Sequence, residues 1–442
     1  MTKQIYNPYL PLHEYIPDGE PHVFDDRLYI YGSHDKENGN EFCELDYVCY
    51  SAPITDLTDW RYEGVIFEKN IDPMNETGVL FLYAPDVCQG IDGRYYLYYS
   101  LKFSDCISVA VCDTPAGAYE YYGKIAYPNG RLLQENIPYD PAVICADGMV
   151  YLYYGFAPTF LDIPRYQNLD KPGGSVVLLD SDMLTVKDGP HIVVPSALYG
   201  KGTTFEGNEF FEAPSIRKIG GLFYLVYSSV NTHQLCYAVS KNPMSGFEYG
   251  GIIISNGDIG YQGRNEANKL MAIGNNHGGL VEVQNQWYIF YHRHTHTNQF
   301  NRQGCAEPVS IGSDGKIEQV TNGNMPVLRS LGRGQIDTDY PYITNDGDDR
   351  YITQVSDGVI IGFKYIDLCD TNGILVVMRG KAEGRLQVLT AINLNVAAEI
   401  EVKESKQWHT RGVEVSFEAN EKELYFKYNG EGAIDIITLI LE

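Results

Sequence analysis

The sequence predicts an all-β protein: a five-bladed β-propeller followed by a C-terminal β-sandwich. Two observations carry this. Five aromatic, strand-like segments recur along the chain, and strand signals continue after the recurrence has stopped. The segments are Arg27–Ser33, Arg94–Ser100, Met149–Gly155, Leu222–Ser228 and Gln286–His292, each a short run of aromatic and β-branched residues. Turn residues precede them: Asp25-Asp26, Asp92-Gly93, Asp147-Gly148, Gly220-Gly221 and Asn285. A tight hairpin at each would join two strands. Further short strand-like pieces follow, such as Ile107–Cys112 and Leu235–Val239, giving about four strands per unit. With Tyr29, Tyr96, Tyr151, Tyr224 and Tyr288 as equivalents, the repeats are 67, 55, 73 and 64 residues long. Lengths that vary in the loops and not in the strands fit propeller blades. The recurrence places the propeller at residues 1–335. Beyond Tyr340 the strand signals at Val355, Ile374–Met378 and Leu424–Tyr428 place a β-sandwich at residues 340–442.

Composition narrows the partners. The 442-residue chain has 33 Lys and Arg against 58 Asp and Glu, a net charge of -25, which repels phosphate backbones and acidic membrane surfaces. No apolar run is long enough to span a bilayer, and the N-terminus has no apolar signal core. Nine scattered cysteines, with no Cys-x-x-Cys spacing, read as reduced thiols rather than as a disulfide frame or zinc site. The expectation is a cytoplasmic protein without nucleic-acid or membrane partners, its oligomeric state left open.

In a propeller, the first strand of every blade lines the central channel, so residues at its start converge on the axis. Ten to twelve residues before each reference tyrosine stand Asp18, Asp86, Asp140, Glu212 and His277. Four of the five are acids. Crowding them in one cavity separates their pKa values, the means by which carboxyl groups do acid and base work. Glycoside hydrolysis needs such a pair, one carboxyl to protonate the leaving oxygen and one to activate water or attack the sugar. The residues alone do not divide these roles.

The motifs Asn7–Leu12, Ile16–Pro21, Tyr83-Ala-Pro-Asp86, Tyr139-Asp-Pro-Ala142, Phe210–Ser215 and Asn276-His-Gly278 together resemble glycoside hydrolase family 43. The likeness covers the whole predicted propeller. It implies an inverting enzyme acting on arabinofuranosides and β-xylosides, with Asp18 as general base, Glu212 as general acid and Asp140 as the third acid that raises the pKa of Glu212. It also implies a calcium ion in the channel, reached by His277 through water, and an arginine, Arg302, that bonds sugar and carboxylate. Asp86 and Arg293 are weaker candidates for substrate contact. The run His292-Arg-His-Thr-His296 reads as a loop lip rather than a zinc site.

The expected function is removal of terminal α-L-arabinofuranosyl or β-D-xylosyl residues from short hemicellulose-derived oligosaccharides. An arabinanase or galactan-directed hydrolase of the same fold, or a non-catalytic sugar-binding propeller, is the alternative.

Overall fold

The computed structural model describes residues 7–158, 169–269, 272–295, 298–321, 343–346, 349–364, 368–369, 371–390, 396–418 and 423–442. Blade 1 comprises β1 (Glu20–Phe24), β2 (Arg27–Tyr31), β3 (Tyr47–Pro53) and β4 (Arg61–Phe67), hydrogen-bonded in that order. Blade 2 repeats the pattern with β5 (Asp86–Gln89), β6 (Tyr95–Ser100), β7 (Ile107–Cys112) and β8 (Glu120–Lys124). Blade 3 has β9 (Ala142–Ala146), β10 (Met149–Tyr154), β11 (Gly173–Leu179) and β12 (Val186–Pro195). Blade 4 has β13 (Phe210–Ile219), β14 (Leu222–Ser229), β15 (Leu235–Ser240) and β16 (Glu248–Ile254). Among the described residues blade 5 has three strands, β17 (Leu280–Val283), β18 (Gln286–His294) and β19 (Arg302–Val309). Every pairing is antiparallel, and the aromatic repeat segments are the second strands.

The hairpin turns follow from their residues. Asp147 and Gly148, Gly220 and Gly221, and Gln284 and Asn285 all have positive φ, the backbone that matches the right-handed twist of flanking strands.

Two features close the ring. The first strands neighbour one another in the cycle β1, β5, β9, β13, β17 and back to β1. Five apolar seams fill the spaces between blades, the last uniting Leu28, Ile30 and Val48 of blade 1 with Val281, Phe290 and Ala306 of blade 5. The N-terminal segment clips this last seam. Asn7 donates to the Ala306 carbonyl and accepts from its N–H, and the Tyr9 N–H donates to the Gly304 carbonyl.

Tyrosine abundance has a structural explanation in these seams. Tyr31, Tyr98, Tyr153 and Tyr224, all on second strands, donate to the carbonyls of Pro115, Met183, Pro243 and Gly315 in the next blade round. Each ring fills a seam and each hydroxyl finds the partner that burial demands.

The C-terminal part is built on two long strands, β23 (Gly373–Leu389) and β26 (Glu423–Leu441), which pair along their lengths. One half of β23 also pairs β25 (Ser405–Glu414) and the other β24 (Val396–Val402). The halves of β26 take β22 (Ile360–Lys364) and β21 (Asp349–Ser356), with β20 (Ile343–Asp346) on the edge. Gly380, Gly384 and Gly430 sit between the halves, where a Cβ would come within 2.4 Å of a facing carbonyl oxygen. The halves enclose one core that includes Val355, Ile361, Val376, Leu386, Ile400, Phe426 and Ile436, the β-sandwich read from the sequence. The expected boundary at residues 335–340, Tyr340 included, lies outside the described residues.

Candidate active site

The segments that enter the first strands converge on a cavity of about 470 Å³. Asp18 lies two residues before β1, Asp140 two before β9, Glu212 inside β13 and His277 three before β17, and all four line it with Arg302 of β19. The chain turns sharply to aim them. Asp18 and Asp140 have φ of 57° and 47°, and Ala213 beside Glu212 has 62°. At Glu212 the β13 ladder also shifts register, a bulge of the kind that re-aims a side chain.

Asp18 is held from two sides. Its Oδ1 accepts from Arg302 Nη1 at 3.0 Å, and its N–H donates to His292 Nδ1 at 3.1 Å. Burial, with the Arg302 charge, keeps the His292 imidazole well below its usual pKa, so it accepts as a neutral ring. Arg302 is fixed in turn by Asp35, whose Oδ2 and Oδ1 each accept at 2.9 Å. Such a two-pronged contact sets the plane of the guanidinium.

The other two acids sit in a different electrical setting. Burial lifts Asp140 to about 7, opposed by the His277 charge and aided by that of Asp18. Burial also lifts Glu212 well above the ordinary carboxylate range, and the neighbouring Asp140 charge adds to the rise. His277 stands 4.0 Å from both Asp18 and Asp140 and 3.8 Å from Glu20. Burial works against its charge, but Glu20 and the two aspartates outweigh it and hold the imidazole at about 9. One buried cation thus faces three carboxylates.

The wall is aromatic. Tyr83, Tyr139, Phe156 and Phe211 touch in sequence with ring centroids 5.5, 5.1 and 5.6 Å apart, and His233 abuts Phe211 at 4.4 Å. Phe42 joins them under the Arg302 guanidinium. Flat apolar faces beside carboxyl groups suit a sugar ring, whose C–H faces stack while its hydroxyls hydrogen-bond.

Two sequence-derived candidates stand elsewhere. Asp86 does not line the cavity, because it is already the first residue of β5 and not part of the segment entering it. Ala84, two residues before β5, occupies the place that Asp18 and Asp140 hold in their blades. Asp86 instead pairs with His22 Nε2 at 2.6 Å and accepts from the Val143 N–H at 2.7 Å, joining blades 1, 2 and 3. Arg293 also lies off the cavity. It alternates with His292 and His294 along β18 and is fully buried, its charge felt by Tyr291 and Cys305. His292 and His294 are strand residues and not a loop lip, while His296 lies outside the described residues.

Sequence reasoning missed Asp35, Phe42, His233 and Glu20. Glu20 alone carried a signal: it is an acid inside the same Ile16–Pro21 motif as Asp18, two residues further on and at the start of the strand.

Acids gathered in one cavity with a fixed arginine and an aromatic wall at a propeller axis are the furniture of a glycoside hydrolase. The chain belongs to glycosyl hydrolases family 43, whose family model matches residues 14–317. It is 44% identical to a xylosidase/arabinosidase of Thermoclostridium stercorarium, over 100% of this chain and 99% of that protein. Among solved structures, a family 43 enzyme from Xanthomonas citri complexed with xylose is similar, with a TM-score of 0.57 and 27% identity over 72% of this chain and 93% of that one. A β-xylosidase/α-arabinofuranosidase from a compost metagenome, solved with xylotriose in a calcium-free form, gives 0.56 and 26% over 72% and 98%.

Proposed function

We infer that this enzyme removes terminal β-D-xylosyl and α-L-arabinofuranosyl units from short hemicellulose-derived oligosaccharides, inverting the anomeric centre. The observation that carries the reading is the split between its acids: Glu212, raised by burial and by Asp140, beside Asp18, bonded to Arg302. A protonated carboxyl and an ionised one are the two partners that inverting hydrolysis uses. The full-length likeness to a xylosidase/arabinosidase supports the sugar class.

The residues divide the work as follows. Glu212 holds its proton at neutral pH and gives it to the glycosidic oxygen as the bond lengthens. Asp18 takes a proton from the attacking water, its carboxylate oriented by Arg302, which Asp35 holds in place. Asp140 keeps Glu212 protonated by the field of its charge. The aromatic wall of Tyr83, Tyr139, Phe156 and Phe211 orders the sugar and excludes bulk water, which strengthens every charge inside.

A channel cation fits this arrangement, with calcium the ion suggested by the calcium-free relative. Glu20 Oε1 and His277 Nε2 are buried, 3.8 Å apart and without a hydrogen-bond partner among the described residues, so both could face one ion, which His277 would meet as the neutral imidazole, giving up the charge that the acids hold on it in the ion's absence. When bound, the ion supplies positive charge that offsets repulsion among the acids. Cysteines scattered singly along the chain, with no disulfide among the described residues, support an intracellular site of action on imported oligosaccharides.

Proton NMR of the first product from an aryl β-D-xyloside tests the reading. Inversion gives α-xylose before mutarotation. β-Xylose as the first product would sink it, and no turnover of xylosides or arabinofuranosides would remove the substrate assignment.

A further inference from the structure

Cys88 of β5 and Cys145 of β9 lie on the first strands of neighbouring blades, outside the catalytic cavity. Their Sγ atoms are 3.5 Å apart and share a hydrogen bond. The alignment is built into the strands. Asp86 Oδ2 accepts from the Val143 N–H at 2.7 Å, and the two cysteines follow Asp86 and Val143 by two residues each. Side chains two apart on a strand share a face, so a contact that locks one pair brings the next pair together. Both thiols belong to the seam between blades 2 and 3, Cys88 within its core and Cys145 packed at its margin and partly open to solvent.

We propose that Cys88 and Cys145 are a reversible modification site, closing into a disulfide clasp between blades 2 and 3 on exposure to a low-molecular-weight disulfide such as oxidised glutathione. Three observations favour this pair. The sulfurs already touch at 3.5 Å, and a disulfide needs them at about 2.05 Å. Cys145 is the accessible partner, and its contact with Cys88 pulls its thiol below the usual value, which favours it as the attacking sulfur. Cys88 is buried beside it, placed to resolve a mixed disulfide rather than to meet solvent.

The chemistry balances in two exchanges. The Cys145 thiolate, its proton released to water, attacks one sulfur of oxidised glutathione and expels one glutathione thiolate. Cys88 then loses its proton and attacks the Cys145 sulfur, expelling the second. One protein S–S bond forms, the glutathione S–S bond breaks, and the two thiol hydrogens end on two reduced glutathiones. The clasp ties strand positions 57 residues apart in sequence, so it constrains the unfolded chain and stabilises the ring. Neither cysteine lines the catalytic cavity.

The folded enzyme is incubated with oxidised glutathione, quenched with acid and digested without reduction. The expected results are a peptide linking Cys88 to Cys145, a mass lower by about 2 Da for the two hydrogens lost, and a thermal midpoint raised by a few degrees and restored by dithiothreitol. Cys88→Ser should stop at glutathione on Cys145, and Cys145→Ser should give no link at Cys88. Exposed Cys369 serves as an internal control for the oxidant. The proposal is overturned if wild type carries glutathione on Cys145 without the link, or if Cys369 reacts while both thiols remain free.

Discussion

Asp18 and Asp140 lie two residues before their strands and face the cavity, whereas Glu20 and Asp86 open their strands and lie in the channel beyond it. The channel acids are neutralised. Glu20 Oε2 accepts from Arg217 at 2.9 Å and from Ser215 at 3.0 Å, and Asp86 takes His22 and a backbone N–H. Arg217 charge and contact with His277 outweigh the burial that would raise Glu20, leaving it below the ordinary carboxylate value. Asp140 and Glu212 instead rise, because burial and like charge act on them with less compensation. Glu20 on one side and Asp140 and Glu212 on the other therefore part company through their partners. Glu20 and Asp86 fasten blades, and under the proposed mechanism Asp140 and Glu212 serve proton transfer.

That contrast orders the expected effects of substitution. Asp18→Asn and Glu212→Gln should cost the most, each lowering kcat on unactivated xylosides by about 10²- to 10⁴-fold. The two should separate on aryl glycosides whose leaving group departs without a proton: Glu212→Gln recovers much of its rate there and Asp18→Asn does not. Equal losses on both substrates would merge their roles. Asp86→Asn should reverse the pattern. It turns one of the two accepting oxygens into an NH2 donor, so that His22 and the Val143 N–H can no longer both be met, and stability in urea should fall by about 1–3 kcal/mol while kcat/KM changes little. A large loss of kcat/KM with unchanged stability would return Asp86 to the substrate-binding set. Tyr98→Phe, which strips one seam hydroxyl from the Met183 carbonyl, should cost about 1 kcal/mol and leave the pH profile alone.

The same contrast shows what the sequence could and could not reveal. The five aromatic strands and their turns made the blades legible, since pairing needs only local alternation and a hairpin. Asp18, Asp140, Glu212 and His277 were legible because the repeat aligned them, and the register shift at Glu212 absorbed its extra residue. Asp86 was misplaced because offsets counted back from a tyrosine do not show where the ladder begins, and one ladder step moves a side chain from cavity to channel. Arg302 was reached only through family likeness, and Asp35, 267 residues away from it, was not legible at all. The tyrosines stand out in the sequence as aromatic strand positions, but their hydroxyl bonds across the seams depend on loops from the next blade, which no local pattern encodes.

The proposed division of labour rests on Glu212 keeping its proton at neutral pH, under burial and the charge of Asp140. Observing the Glu212 side-chain carboxyl by carbon-13 NMR across a pH titration, in wild type and in Asp140→Asn, addresses this without substrate. The carboxyl should remain protonated at neutral pH in wild type. In Asp140→Asn the loss of a neighbouring negative charge lowers its pKa, and the basic limb of the pH–rate profile should move toward acid with it. A wild-type Glu212 that ionises in the ordinary carboxylate range, or one unmoved by Asp140→Asn, would show that this pair does not form the acid and its modulator.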